Sequence, residues 1–242
     1  MTTVAAEPPS TVPTFAPEEP SRPSIPVMPA PTRPSGDQRL LLHDVPWGTY
    51  VAIGELFRDR PVYMTYDRGE LEIMTKGLRH ELFGEHLFLL IHAWSQVARV
   101  PLKSGGSTTF QRDNLEKGLE PDKCFWIENE AKMRTVRDWN PAQHPPPDLA
   151  VEVDITSSSL DRMGIYAALG VPEVWRYDGE RLTFHRLGPA GGYETVPQSR
   201  WFPQLPAAEL VRFLGLVGTT DETTWLEQFR DWARQTLAAK AG

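Results

Sequence analysis

Residues 148–155, DLAVEVDI, alternate without a break. In an extended strand Asp148, Ala150, Glu152 and Asp154 point to one face, and Leu149, Val151, Val153 and Ile155 to the other. The second face is wholly apolar, which marks a core strand. The first carries three acids, where an unpaired buried charge is expensive. A fold for this chain must bury one face of the segment and give the acids on the other something to bind.

The remaining numbers narrow the class. A chain of 242 residues can build one large domain or two small ones. Its net charge of −7 argues against coating nucleic acid by bulk charge, though not against a local basic cleft. Cys124 is the only cysteine, so neither a disulfide nor a cysteine-based zinc site is available. No apolar run approaches the roughly 20 residues that span a bilayer, and the N-terminus lacks the pattern of a signal peptide. The expectation is a soluble cytoplasmic protein with no membrane segment.

Residues 1–37 read as an extended, disordered arm, since they hold ten of the 23 prolines and little periodic apolar pattern. A single α/β domain is expected over 38–242, with order starting near Leu40. PVYMTYDRGELEIMT (61–75) predicts a hairpin around Asp67-Arg68-Gly69. Apolar residues at three- and four-residue steps predict a helix over 78–98, with His80 and Glu81 in its first turn. Residues 100–111 suggest a strand broken at Gly105-Gly106, and 120–129 another strand. A helix with hydroxyl caps follows over 157–170, then a strand over 171–178 and a second hairpin. Helices near 206–215 and 222–239 close the chain.

By parity Asp122 shares a strand face with Cys124 and Trp126. Thirty residues separate Asp122 from Glu152, enough for two antiparallel strands and a connection. Two adjacent strands can bring these carboxylates within a few ångströms, where they repel unless a cation lies between them or one is protonated. Oxygen donors without cysteine suit a hard cation such as Mg²⁺, with Mn²⁺ as substitute. The chemistry such a site suits best is metal-assisted hydrolysis of a phosphodiester. Spacing leaves a second reading open: Glu152 could serve only as the partner of Arg162 or Arg176. Asp148 and Asp122 could each simply begin a strand, and Trp94, Tyr166 and Trp175 read as core.

GLRHELFGEHL (77–87), SGGSTTFQRDNLEKGLEPDKCFWI (104–127) and PPPDLAVEVDITSSSLDRMGIYAALGVPEVWRYDGE (145–180) resemble the Uma-two family of restriction-endonuclease-like proteins, in the PD-(D/E)XK nuclease superfamily. The resemblance covers roughly residues 40–215. It implies a restriction-endonuclease-like core, a mixed central sheet flanked by helices, a divalent-metal site and cleavage of DNA, with a homodimer as an expectation. On the matching positions it makes Asp122 the first motif acid and Glu152 the second, and it puts His80 and Glu81 on the helix that often carries an accessory carboxylate. Asp148 is a poor candidate, because four residues cannot turn a hairpin before Glu152. The superfamily lysine two residues after the second acid is replaced by Asp154, which could be a third metal ligand. Arg162, four before Tyr166, fits the family's basic position and could face the phosphate. The missing lysine and the negative charge motivate the alternative, a catalytically impaired nuclease-like binding or assembly module. Residue types alone do not separate DNA from RNA or from a small phosphoester.

Overall fold

In the computed structural model, residues 36–156 and 158–239 are described. The arm expected over 1–37 lies outside them except for its last two residues, Gly36 and Asp37. The elements run β1 (Gln38–Leu42), α1 (Trp47–Leu56), β2 (Tyr63–Asp67), β3 (Glu70–Thr75), α2 (Leu78–Ala98), β4 (Lys103–Gly106), β5 (Phe110–Arg112), β6 (Lys117–Leu119), β7 (Lys123–Trp126), α3 (Glu130–Met133), β8 (Leu149–Val153), α4 (Arg162–Leu169), β9 (Glu173–Tyr177), β10 (Leu182–Leu187), β11 (Tyr193–Val196), α5 (Ala207–Leu214) and α6 (Glu222–Ala239).

A six-stranded mixed sheet in the order β11-β10-β9-β8-β7-β4 forms the centre, with β8 and β9 parallel and its other pairs antiparallel. The β8–α4–β9 segment is the crossover that a parallel pair requires. The alternation in DLAVEV then sorts the layers. Leu149, Val151 and Val153 pack with Leu87, Trp94 and Trp225, so this face of the sheet is covered by α2 and α6. Ala150 and Cys124 lie on the opposite face with Ile165, Tyr166 and Leu169 of α4. Each fully buried aliphatic side chain here contributes about 1.5–3 kcal/mol relative to exposure. The covered apolar faces thus hold the strand that carries the acids in place.

A second sheet of five strands, β1-β3-β2-β6-β5, joins the first. The run 100–111 divides between the sheets: β4 pairs with β7 in one, β5 with β6 in the other. Gly105 permits this crossing, since a Cβ there would lie 2.6 Å from the Trp126 ring and 2.7 Å from Cys124 Sγ. The sequence pattern misses β1, α1, β6 and the single-turn helix α3. Helix α1 offers little to read: it begins after Pro46 without a side-chain cap and buries only Tyr50 fully.

Helix α4 starts at Arg162, five residues later than the hydroxyl pattern predicts. Asp161 provides its cap, accepting from the Gly164 amide at 3.0 Å. The hydroxyl run is used elsewhere: Ser158 Oγ and the Ser159 amide both donate to Glu72, each at 2.8 Å. Gly170 ends the helix at φ 79°, a left-handed position that suits a residue without Cβ. Among the described residues no helix is long and apolar enough to cross a membrane.

Candidate active site

The acids gather where β7 and β8 begin and end side by side. Their register pairs Lys123 with Val151, so one further step sets Asp122 opposite Glu152. Cross-strand neighbours at such positions have Cβ atoms about 4.5–5.5 Å apart. Both are buried, at 7% exposure each. The Val153 amide donates to Asp122 Oδ2 at 2.6 Å, which ties the first acid to the strand of the second.

Asp122 Oδ1 meets two cationic groups, Lys76 Nζ at 2.7 Å and His80 Nε2 at 2.9 Å. His80 also places Nδ1 2.9 Å from Asp37 Oδ2. A neutral imidazole has one N–H donor, so an imidazole facing carboxylates at both nitrogens is the charged form. Burial pulls the His80 pKa down, but Asp122 and Asp37 together outweigh it and raise the value above 6.5. Burial likewise opposes ionisation of Asp122, yet His80 and Lys76 hold its carboxyl well below the usual carboxylate range. Asp37 is itself pinned, accepting from the Gly77 amide and Thr156 Oγ1, both at 2.8 Å.

Glu152 is surrounded differently. Arg162 Nη2 donates to its Oε1 at 2.6 Å, and the Tyr166 hydroxyl donates to the same oxygen. Oε2 accepts no hydrogen bond among the described residues. Burial lifts the Glu152 carboxyl above its ordinary range; Arg162 opposes this, and the charge of Asp122 adds to it. Arg162 also donates to the Glu120 carbonyl at 2.8 Å and to Thr65 Oγ1, while its buried Nε has no partner. The guanidinium thus links α4 to both sheets.

The other residues singled out in the sequence fall as follows. Asp154 pairs with Arg176 on β9, and its side chain does not join Asp122. With Glu152, Asp161, Arg162 and Arg176 it lines a cavity of about 160 Å³. Glu81 is exposed and accepts from the Tyr63 hydroxyl at 3.2 Å, outside the acid pair. Trp94, Tyr166 and Trp175 are core, as expected, although Tyr166 also serves Glu152. The salt bridge that competed with a site for Glu152 is real: the residue pairs with Arg162 and still faces Asp122.

Asp148 closes a turn: it accepts from the amides of Ile127 and Asn129 at 2.7 and 2.9 Å and from Asn129 Nδ2 at 2.7 Å. Asp148→Ala should cost about 1–3 kcal/mol by orphaning those buried donors, while leaving any activity of the folded protein intact. Urea unfolding beside an activity assay at a permissive temperature checks both halves.

Nothing in the sequence pattern singles out Lys76 or Asp37. Lys76 sits in the two-residue link between β3 and α2, four residues before His80, just outside the block that carries the resemblance. Asp37 ends the stretch whose composition predicts an extended arm, yet its carboxylate is fully buried against His80.

Asp122 and Glu152 offer oxygen donors of the kind a hard divalent cation takes, on neighbouring strands and with mutual repulsion that a cation would relieve. The chemistry of the pair therefore fits such an ion. Among the described residues, however, no three His, Cys, Asp or Glu side chains converge as a ready donor set. The acids are instead satisfied by Lys76, His80 and Arg162.

The family model described as "Putative restriction endonuclease", Uma2, matches residues 50–217. That span contains Lys76, His80, Asp122, Glu152 and Arg162, and omits Asp37. No curated protein matches the chain. Among solved structures the chain is similar to "a putative nuclease belonging to DUF820 from Anabaena variabilis", at 14% identity and a TM-score of 0.43, over 67% of this chain and 90% of that one. With well over half of its length matched by the family model, the chain belongs to the Uma2 family of "putative restriction endonucleases".

Proposed function

We propose that this chain is a Mg²⁺-dependent endonuclease that hydrolyses phosphodiester bonds in DNA. The observation that supports it most is the buried Asp122–Glu152 pair, facing each other across β7 and β8 with Arg162 against one of them. Family membership supports the nuclease class.

In this reading Asp122 and Glu152 hold the ion. When bound, it polarises a phosphoryl oxygen and lowers the pKa of a water. Arg162 is permanently protonated, so it stabilises negative charge developing on the phosphate and does not act as a base. The Tyr166 hydroxyl orients Glu152, and His80, held as imidazolium between Asp37 and Asp122, orients the first acid. Asp154 plays no part as a ligand while Arg176 holds it.

The test is conversion of supercoiled plasmid to nicked or linear form in the presence of Mg²⁺ or Mn²⁺. Cleavage that stops with EDTA and returns with added metal is the expected result. The second reading, a nuclease-like binding module without hydrolysis, is favoured by one observation: every acid of the site already has a protein cation beside it. DNA retained in a gel-shift assay without cleavage under any metal condition would select it.

A further inference from the structure

Lys76 lies outside the stretches 77–87, 104–127 and 145–180 that carry the resemblance, yet it stands against the first acid. Its side chain is 5% exposed, and Nζ is 2.7 Å from Asp122 Oδ1. The ammonium also stands 3.2 Å from the centroid of the Tyr63 ring, so an aromatic face stabilises it from another side. The position is built: β3 ends at Thr75, α2 begins at Leu78, and the Gly77 amide is tied to Asp37. The link that carries Lys76 is thus fixed at both ends.

The charges of the cluster nearly cancel. Asp37, Asp122 and Glu152 face His80, Lys76 and Arg162. Beside Lys76 and Arg162, Glu120 adds one more carboxyl, which burial pushes toward its neutral form. A divalent ion added to a cluster of this balance brings two positive charges against at most that one acid, and a phosphodiester brings back only one. We propose that Lys76 is a built-in counter-ion of Asp122, holding the acid in the place a divalent cation would contact, so that metal binds the free protein weakly until the ammonium moves aside. The inference rests on the reading of Asp122 and Glu152 as metal ligands, but not on hydrolysis.

Titration of Mn²⁺ into the full chain, followed by calorimetry or by the paramagnetic signal of the free ion, tests it without any cleavage assay. Lys76→Met keeps the length of the side chain and removes its charge, and should bind Mn²⁺ at least about tenfold more tightly than wild type, a difference of about 1.4 kcal/mol. Lys76→Arg keeps the charge and should stay near the wild-type value, which separates charge from any change in packing. Circular dichroism establishes that each variant titrated is folded. Equal or weaker binding by Lys76→Met, with binding still lost in Glu152→Gln, overturns the role of Lys76 and leaves the ligands standing. Absence of binding in every variant overturns both. Tighter binding by Lys76→Met in a protein that never cleaves DNA supports Lys76 as counter-ion and removes the endonuclease reading alone.

Discussion

Glu152→Gln should abolish metal-dependent nicking and leave the protein folded, whereas Glu152→Ala should also unfold it more readily. Glutamine keeps the shape of the side chain and an oxygen for Arg162 and Tyr166 to donate to, but removes the charge that holds a cation. A loss of several kcal/mol of transition-state stabilisation corresponds to a rate reduction on the order of a thousandfold. Alanine removes the partner of a guanidinium that is only 19% exposed. Breaking a buried pair from one side costs about 3–5 kcal/mol, because the remaining charge is left uncompensated. Plasmid nicking and urea unfolding on the two variants separate these effects. Full activity in a folded Glu152→Gln protein would falsify the assignment of Glu152.

Asp122→Ala carries the second large effect, on stability and its pH dependence. It strands Lys76, His80 and the Val153 amide together, for a cost of about 3–5 kcal/mol by the same reasoning. The signs follow from linkage. The Asp122 carboxyl lies below its ordinary 3.8 in the folded protein, so its contribution is present above 3.8 and is lost as pH falls through the folded value. The His80 pKa lies above 6.5, so its contribution is complete below 6.5 and is lost as pH rises through the folded value. The two contributions coexist most fully between 3.8 and 6.5. Glu152 is raised above 4.5, so its charging lowers stability as pH rises and acts in the same direction as His80. Wild-type stability should therefore decline on the alkaline side of the imidazole range, and Asp122→Ala should lose much of that slope. Denaturant midpoints measured across the carboxylate and imidazole ranges give the comparison; an unchanged slope in the variant would remove His80–Asp122 as its source.

Short-range signals made a good part of this molecule readable. Alternation placed β8 and its two faces, helical periodicity placed α2 and α6, and Pro-Asp together with the strand order brought Asp122 to Glu152. What escaped has physical reasons. Helix α4 begins late because Ser158 and Ser159 are drawn to Glu72, 86 and 87 residues away, which no local capping rule contains. Asp154 follows the parity of Glu152 but has Arg176 of the neighbouring parallel strand within reach, so its role depended on a pairing invisible in spacing. Lys76 lies in a link between two well-marked elements, where neither period nor motif singles out a residue. Asp37 follows a proline-rich stretch, and composition gave no sign that the carboxylate would be buried.

The bond from Thr156 to Asp37 joins residues 119 apart, and Arg39 reaches the Thr156 carbonyl across 117. Contacts of this span close some of the longest loops the chain can make, and the entropy of closing them is spent before they stabilise anything. During synthesis from the N-terminus, Asp37 exists long before Thr156, and His80 before Asp122. Closing the acid cluster is thus part of assembling the central sheet: Glu152 reaches Asp122 only when β8 pairs with β7, and Asp37 is tied down only when Thr156, just past that strand, returns to it.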